Sequence, residues 1–494
     1  NVKGKYTEGL MMREWAACDE DEDVVSMALT AVRRLIERHG LRHAAIGMLQ
    51  VASESLLDRS KSIKSHLMSL FQPHGCTNIE GVDNYHACYG GTAALFACTN
   101  WVESTVWDGR WAIAMCTDVS DAPKQYPFMN GAAAVAMLVG ADAPLALEGE
   151  RVTHIVHEWD FYKPVGWPSM APIVDGPGSK EVYFSCLTAC QRELEEREGD
   201  TFVDAHDFLV FHLGSGPKFV RHAFEKALAA AHGEASLSED EVGARFDKLL
   251  EPSLRLASQI GPMHTAATYV NLTSLLLHAS PAVGCRIGVF SYGSGSASSM
   301  YHLRVRGEVR LDASLAGWLE ARERLSPHDF TAACDRFSRT YGRFDWVPRV
   351  VGVSPARSYR ISKVDILGRR RYEYVQGAED LVEPVAPFQP VAVTSPSPTA
   401  VLRVAGIHAL EVYVPRHCVS AAELEVAHTV KGKYTEGLMM REWAACDEDE
   451  DVVSMALTAL RRLIERHGLR HADIGMLQVA SESLLDRSKS IKSH

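Results

Sequence analysis

A long internal repeat is the feature that most constrains how this chain can fold. Residues 2–66 recur almost unchanged as residues 430–494, at an offset of 428 positions. When 1–66 is aligned with 429–494, three positions differ, namely Asn1/Thr429, Val32/Leu460 and Ala45/Asp473. The period is far longer than the roughly 20–50 residues of solenoid and propeller repeats. It suits one whole folding unit, so we expect most of one unit followed by the start of a second copy.

The segments between the two copies predict how the units are arranged. Residues 383–400 are rich in Pro, Ser and Thr and indicate an extended linker. After the linker, 403–415 (RVAGIHALEVYVP) is typical of a β-strand. We therefore expect four parts: 1–170, the first half of a unit without its first strand; 171–382, the second half; the linker; and 401–494, the start of a second copy.

This arrangement leaves one strand position of the first unit empty, and an unpaired strand edge is a liability. We expect the strand at 403–415 to fill that gap within the same chain. Residues 1–66 and 429–494 then compete for one place. We favour 1–66, because it is joined directly to the rest of the unit.

Charge and cysteine content exclude several functional classes. The formal net charge is −12, and Lys and Arg are scattered apart from the run 369–371, which argues against nucleic-acid binding. No apolar run approaches the length of a membrane span, so we expect no membrane association. The eleven cysteines form no CxxC pair, which indicates a reducing compartment and no zinc site. We expect a cytoplasmic protein and leave an organelle open.

Helical and strand patterns alternate along the chain. Residues 19–40 begin with an acidic run, carry an apolar stripe and end at Gly40, which predicts one helix. Apolar segments predict strands at 46–52, 111–116, 132–139, 208–211 and 286–291. This alternation is typical of an α/β protein whose sheets are covered on both faces.

The segment 84–96 (NYHACYGGTAALF) contains the strongest candidate nucleophile. Cys88 stands where a strand-like stretch ends and an Ala/Leu-rich helix, predicted over 92–104, begins. A thiol at a helix N-terminus has a stabilised thiolate, and Gly90 and Gly91 allow a substrate to approach the backbone. On its own, such a cysteine is more often a small buried residue than a nucleophile.

This segment resembles the nucleophile motif of 3-hydroxy-3-methylglutaryl-coenzyme A (HMG-CoA) synthases, Asn-Ala-Cys-Tyr/Phe-Gly-Gly-Thr, with His86 in the Asn place. Further segments match in family order over essentially the whole unit: GKYTEGL (4–10), SESLLDRSKSIKSHLMSLF (53–71), TNWVESTVWDGRW (99–111), DFYKP (160–164), PIVDG (172–176), CRIGVFSYGSG (285–295), SYRISKVDILGRRRYEY (358–374) and GIHALEVYVP (406–415). The resemblance implies a thiolase-like layered αβαβα fold of two similar halves, and a homodimer.

The resemblance also implies roles for single residues. Cys88 would carry the acetyl group, Glu54 would be the general acid and base, and His212 would orient the acetoacetyl thioester. Substrate and coenzyme A contacts would come from Lys218, Arg221, Ser294, Gly293 and Asp160, and Glu482 duplicates Glu54 in the second copy. Without the resemblance, a Glu of this kind is more often a solvated carboxylate and a lone His is more often structural. Lys and Arg residues of this kind are more often plain surface charge.

The implied reaction is the condensation of acetyl-CoA with acetoacetyl-CoA, which requires neither a metal nor a redox cofactor. Covalent attachment to Cys88 divides a difficult step into easier ones. Glu54 would then take a proton from the acetyl methyl group and later return one to the new alkoxide.

Three segments around the acceptor substrate depart from the family pattern. The loop containing Phe128 and the segment 213–217 are each one residue longer. In 261–265 (GPMHT), which resembles Gly-Asn-Met-Tyr-Thr, Pro262 replaces an Asn and His264 a Tyr, and proline cannot donate a hydrogen bond. Three interpretations remain open: a working synthase, a relative that acts on carrier-protein-bound β-ketoacyl chains in polyketide β-branching, and a catalytically weak paralogue with a structural role.

Overall fold

The structure is a computed structural model of the chain. It describes residues 6–7, 9–16, 18, 20–23, 25–38, 40–55, 58, 61–122, 127–156, 158–163, 171–233, 237–311, 315–349, 358–376, 405–414, 417–445, 452–471 and 477–480. The predicted linker at 383–400 and the duplicate Glu482 lie outside these ranges.

The described residues form twelve α-helices. They are α1 (Ser26–Arg38), α2 (Ile63–Leu67), α3 (Gly90–Glu103), α4 (Gly176–Glu198), α5 (Pro217–His232), α6 (Glu239–Leu249), α7 (Glu251–Leu254), α8 (Ala267–Ala279), α9 (Leu315–Glu320), α10 (Pro327–Thr340), α11 (Ala421–Ala427) and α12 (Val452–Arg466). Among the described residues, no helix is both long and apolar enough to span a lipid bilayer.

The described strands number twenty. They are β1 (Glu14–Trp15), β2 (Leu41–Arg42), β3 (Ile46–Ala52), β4 (Trp111–Ser120), β5 (Gly131–Ala141), β6 (Leu145–Ile155), β7 (Phe161–Tyr162), β8 (Ile173–Val174), β9 (Phe208–Phe211), β10 (Arg286–Gly293), β11 (Ala297–Val305), β12 (Arg310–Leu311), β13 (Glu323–Arg324), β14 (Ser358–Val364), β15 (Arg370–Val375), β16 (Ala405–Tyr413), β17 (His417–Ser420), β18 (Glu442–Ala445), β19 (Arg470–His471) and β20 (Leu477–Ala480).

One mixed sheet of ten strands forms the centre of the fold. Its order is β9-β10-β11-β6-β16-β5-β4-β20, with β3 also paired to β4 and β12 to β16. Every residue of β4 and β5 is buried, which requires cover on both faces of the sheet. Helices α3 and α8, both rich in buried apolar side chains, pack against it. The predicted α/β class is therefore confirmed.

The strand that follows the predicted linker lies in the middle of this sheet. β16 pairs antiparallel with β5 from Ala405↔Ala141 to Tyr413↔Ala134, and its start also pairs with β6. A side chain at Gly406 would collide with the backbone of Leu145, so the strands approach closely at that point. The prediction that this strand fills the gap in the same chain is confirmed, and the gap is central.

The predicted helix at 19–40 is shorter in the structure, because its acidic start acts as a cap. The Asp23 carboxylate accepts hydrogen bonds from the N–H groups of Val25 (2.8 Å) and Ser26 (3.0 Å), so α1 begins only at Ser26. Asp23 also forms a 2.7 Å ion pair with Arg370 of β15. The acidic run thus anchors the β14–β15 hairpin to the start of α1.

Both copies of the repeat are placed at the same position. β3 and β20 pair with one edge of β4 in the same register, with Leu49 and Leu477 both opposite Ile113. β1 and β18 likewise pair with β17 at equivalent residues.

Equivalent side chains of the two copies also overlap in space. The indole N–H groups of Trp15 and Trp443 both donate to the carbonyl oxygen of Phe128, at 2.7 and 3.0 Å, and their rings superpose. The rings of Tyr6 and Tyr434 also superpose. Two side chains cannot fill one volume, so the position holds one copy at a time and the two placements are alternatives. That 1–66 is the preferred occupant stays a prediction.

Because only one copy can occupy the position at a time, we expect a non-additive response to mutation. Trp15→Ala or Trp443→Ala alone leaves one intact copy for the position, so each should lower the free energy of unfolding by less than about 1 kcal/mol. The double variant has no intact copy and should lose about 3–5 kcal/mol, the usual range for truncating a buried Trp. Chemical denaturation of the four proteins measures this. If one single variant alone shows the full loss, only that copy occupies the position.

Candidate active site

A cavity of about 840 Å³ joins residues from distant parts of the sequence. The predicted site residues that line it are Cys88, His212, Lys218, Arg221 and Ser294. Phe128, Pro262, Gly214 and Ser215, from the three segments with unusual sequences, line it as well. This volume is typical of a small-molecule site.

Cys88 lies in a tight turn just before α3, and only 8% of its surface is exposed. Ala87 has the left-handed backbone angle φ = 42°, which bends the chain ahead of the nucleophile. Gly293, at the end of β10, packs directly on this turn, and a Cβ there would collide with the backbone of His86 and Tyr89. Gly293 therefore supports the nucleophile turn, and it is not among the residues that line the cavity.

The electrostatics of Cys88 differ from the sequence-based expectation. Burial raises the pKa of its thiol well above the usual value, and the negative charges of Glu54 and Asp118 raise it further. Lys163 opposes this shift only in part. Burial and these charges therefore oppose the thiolate that the helix N-terminus was expected to stabilise, and that thiolate stays a prediction.

Glu54 lies two residues beyond β3 and is completely buried. Its Oε2 is 3.2 Å from the Nζ of Lys163, which is itself 4% exposed. Burial raises the pKa of the Glu54 carboxyl well above its usual range, and the Lys163 cation counters that shift incompletely. Such a carboxyl can hold a proton at rest and is a strong base once ionised. Glu54 is not among the residues that line the cavity.

Asp118 is a central residue that the sequence analysis missed. Its carboxylate accepts hydrogen bonds from the Ser55 hydroxyl (3.0 Å), and from the Thr265 hydroxyl (2.7 Å) and N–H (3.3 Å). It therefore connects the segment that carries Glu54 to the turn at His264. The available signal was a single acidic residue within the otherwise apolar strand WAIAMCTDVS.

His212 follows β9 and points its side chain into the cavity. Its Nδ1 is 3.4 Å from the Thr268 hydroxyl, and its backbone carbonyl accepts a 2.8 Å hydrogen bond from the Tyr183 hydroxyl. Burial lowers the pKa of His212 to about 3, so its ring is neutral near pH 7. It can orient a substrate carbonyl as a neutral hydrogen-bond donor.

Asp160 is buried behind the cavity and does not line it. Its carboxylate accepts hydrogen bonds from the Tyr292 hydroxyl (2.9 Å), the Gly295 N–H (2.8 Å) and the Ser179 hydroxyl (3.2 Å). It thus fixes the turn that presents Ser294, and its contacts are those of a positioning residue.

Cationic side chains surround the outer part of the cavity. Lys218 and Arg221 lie on the first turns of α5, and Lys180 approaches from α4. Arg221 pairs with Glu225 at 3.4 Å, and the Arg221 cation together with partial burial lowers the pKa of Lys218. Adjacent cations of this kind suit an anionic ligand.

One cluster of potential metal ligands is explained by the repeat. Glu14, Cys418 and Glu442 bring ligand atoms within 4.8 Å of one another. Glu14 and Glu442 are the same residue of the two copies, so a single copy supplies only one of the two carboxylates. Either carboxylate already pairs with Arg322, at 3.0 and 2.8 Å. The cluster is therefore better described as an ion pair between Arg322 and one carboxylate than as a metal site.

Family models match nearly the whole chain. The model described as hydroxymethylglutaryl-coenzyme A synthase N terminal matches residues 1–144 and 402–494, and the corresponding C-terminal model matches 145–242 and 221–375. The mitochondrial hydroxymethylglutaryl-CoA synthase of Sus scrofa is 37% identical over 426 residues, covering 75% of this chain and 83% of the relative. A hydroxymethylglutaryl-CoA synthase of Zymoseptoria tritici is 35% identical over 422 residues, covering 75% and 92%.

Solved structures of similar fold include MvaS in complex with 3-hydroxy-3-methylglutaryl coenzyme A. Its TM-score is 0.61 at 29% identity, covering 76% of this chain and 92% of that one. The HMG synthase of the curacin biosynthetic pathway, in complex with a holo donor acyl carrier protein, has a TM-score of 0.60 at 25% identity, covering 74% and 92%. The thiolase-like fold expected from the sequence is therefore confirmed.

The contacts of Asp118 predict a combined loss of stability and activity. Asp118→Ala leaves the Ser55 and Thr265 hydroxyls without this partner and should lower the free energy of unfolding by about 1–3 kcal/mol. Turnover should fall as well, because the segment that carries Glu54 is released. Asp247→Ala, at an exposed position on α6, is the matched control and should change neither quantity. Wild-type stability and turnover in Asp118→Ala would contradict this role.

The raised pKa of Glu54 predicts a pH-dependent gain in stability when the carboxyl is removed. A folded-state pKa above the unfolded value means that the stabilising contribution is complete below the unfolded pKa of about 4.3 and is lost as pH rises through the folded pKa. Glu54→Gln, combined with Glu482→Gln, should therefore raise Tm relative to wild type more at pH 8 than at pH 5. The expected gain is roughly 2–4 °C per kcal/mol. An equal or smaller gain at pH 8 would contradict the assignment.

Proposed function

Because the chain belongs to the hydroxymethylglutaryl-CoA synthase family, we propose that it condenses acetyl-CoA with acetoacetyl-CoA to 3-hydroxy-3-methylglutaryl-CoA through an acetyl-Cys88 intermediate. One observation carries the proposal: the buried Cys88 thiol lines the cavity, and the Asp118 carboxylate binds both the residue after Glu54 and the residue after His264, whose ring is 3.8 Å from that thiol. A nucleophile and an acid/base group in one enclosed site are what a two-stage condensation requires.

In the first stage the Cys88 sulfur attacks the thioester carbon of acetyl-CoA. The bond from that carbon to the coenzyme A sulfur breaks, and coenzyme A leaves with the proton that the Cys88 thiol gives up. Burial protects the acetyl thioester from water, which otherwise competes with the condensation.

In the second stage Glu54, after its carboxyl has lost its own proton to solvent, removes a proton from the acetyl methyl group. The resulting enolate attacks the ketone carbon of acetoacetyl-CoA, and Glu54 returns a proton to the new alkoxide. Water then releases the product from Cys88. The Lys163 ammonium, 3.2 Å from Glu54, favours the ionised carboxylate that the proton removal needs.

Thioester oxyanions need donors that are already in place. The N–H of Gly295 is already used by Asp160, so it is not available to substrate. The N–H of Cys88 lies near its own sulfur, where it lowers the thiol pKa, and we assign it as a donor to the acetyl oxygen. The neutral imidazole of His212 is placed to orient the acceptor carbonyl.

The charge of the outer cavity supports coenzyme A thioesters as substrates. Lys180, Lys218 and Arg221 offer cations where the phosphates of coenzyme A would lie. The proposal uses these thioesters and neither a metal nor a redox cofactor. We retain a homodimer in the cytoplasm as a prediction.

A second candidate function is condensation on a carrier-protein-bound β-ketoacyl chain. Phe128 and Pro262, which stand where the family motifs have Thr and Asn, both line the cavity. They alter the part of the site that receives the acceptor and leave Cys88 and Glu54 in place. A catalytically weak structural paralogue is the third interpretation, and acetylation of Cys88 would exclude it.

The proposal predicts separable effects of two substitutions. Cys88→Ala should abolish the acetyl group that the wild-type chain gains from acetyl-CoA, as measured by intact-protein mass spectrometry. The Glu54→Gln/Glu482→Gln double variant should still gain it, and should condense about 10²–10⁴-fold more slowly because the general acid and base is missing. Both glutamates are replaced because either copy can occupy the position. Product formation from free acetoacetyl-CoA distinguishes the main proposal from the carrier-protein alternative, and wild type that gains no acetyl group from acetyl-CoA would refute the main proposal.

A further inference from the structure

A histidine that no role above accounts for lies directly against the nucleophile. The Nδ1 of His264 is 3.8 Å from the Sγ of Cys88, and 6% of the His264 surface is exposed. His264 starts a short 3₁₀ turn ahead of α8 and has a left-handed φ of 44°. The Asp118 carboxylate holds the next residue, Thr265, through two hydrogen bonds. The ring is therefore fixed beside the thiol.

An imidazole at this position is particular to this chain's version of the motif. The pattern that 261–265 resembles has a tyrosine here, and a phenol with its ordinary pKa of about 10 cannot accept a proton near pH 7. A neutral imidazole can accept one on its unprotonated nitrogen. The substitution thus places a proton acceptor at the sulfur.

The other groups around Cys88 are poorly suited to take its proton. The Glu54 carboxylate pairs with the Lys163 ammonium at 3.2 Å, and the proposed reaction uses it for the acetyl methyl group. The Asp118 carboxylate is engaged by Ser55 and Thr265, and Lys163 is a cation paired with Glu54. The thiol also cannot rely on spontaneous ionisation, since burial raises its pKa.

We propose that His264 is a catalytic residue that accepts the Cys88 thiol proton as the sulfur attacks acetyl-CoA and then delivers that proton to the departing coenzyme A sulfur. The step conserves protons: Nδ1 gains the one that Sγ loses, the new carbon–sulfur bond replaces the bond to coenzyme A, and coenzyme A leaves as the thiol. This inference rests on the proposed function, because it assigns the base for that reaction's first stage.

The surroundings of His264 support a neutral ring. Burial lowers its pKa well below the usual value, and the facing Lys163 and His212 lower it further. The ring is then an acceptor throughout the neutral range, so acetyl transfer should be nearly independent of pH between about 6 and 8.

Removal of the imidazole should change the pH profile as well as the rate. In His264→Asn, which tolerates the left-handed backbone, acetylation at pH 7 should be about 10²–10⁴-fold slower. It should also rise close to tenfold per pH unit from about 6 to 8, because only pre-formed thiolate reacts. Alkylation of Cys88 by iodoacetamide, which needs no coenzyme A thioester, should gain the same slope.

His278→Gln, a histidine outside the cavity on α8, is the matched control and should keep the wild-type rate and flat profile. A flat profile and wild-type rate in His264→Asn, with the folded state verified by thermal denaturation, would overturn the proposal. If the wild type alkylates with a flat profile but never gains an acetyl group, the proposed function fails while the role of His264 as the base for the thiol stands.

Discussion

The Asp118 carboxylate ties together the three segments from which the site is built. It lies on a fully buried strand and accepts hydrogen bonds from the residue after Glu54 and from the residue after His264. These bonds hold the segment of Glu54 and the turn of His264 to one strand, and the His264 ring lies 3.8 Å from the Cys88 sulfur. The same negative charge raises the pKa values of Cys88 and Glu54, so one residue contributes both geometry and electrostatics.

The surroundings of the site raise the pKa values of both Cys88 and Glu54. Cys88 and Glu54 are both buried beside anionic groups, and the single ammonium of Lys163 offsets this only in part. Both shifts favour the protonated forms of these groups. A protonated thiol is less open to oxidation and stray acylation than an exposed thiolate.

The sequence predicted elements whose signals are local and missed features that depend on tertiary contacts. The strands at 46–52 and 208–211 were placed with correct bounds, since apolar runs with clear flanks define them. The helix predicted at 19–40 begins too early, because the acidic residues at its start were taken as helical, whereas Asp23 caps the helix. The burial of Cys88, which opposes the predicted thiolate, could not be read from the sequence because it depends on residues distant along the chain. Asp118 was missed because its partners, Ser55 and Thr265, are distant in sequence.

The central position of the strand at 405–413 makes the middle of the sheet depend on contacts between distant parts of the chain. Its neighbours, 131–141 and 145–155, lie about 250 residues away in sequence. Such contacts cost loop-closure entropy before they stabilise the sheet, so we expect this part of the sheet to form late in folding. An intermediate without the strand would expose unpaired backbone donors and acceptors in the middle of the sheet, where aggregation can begin.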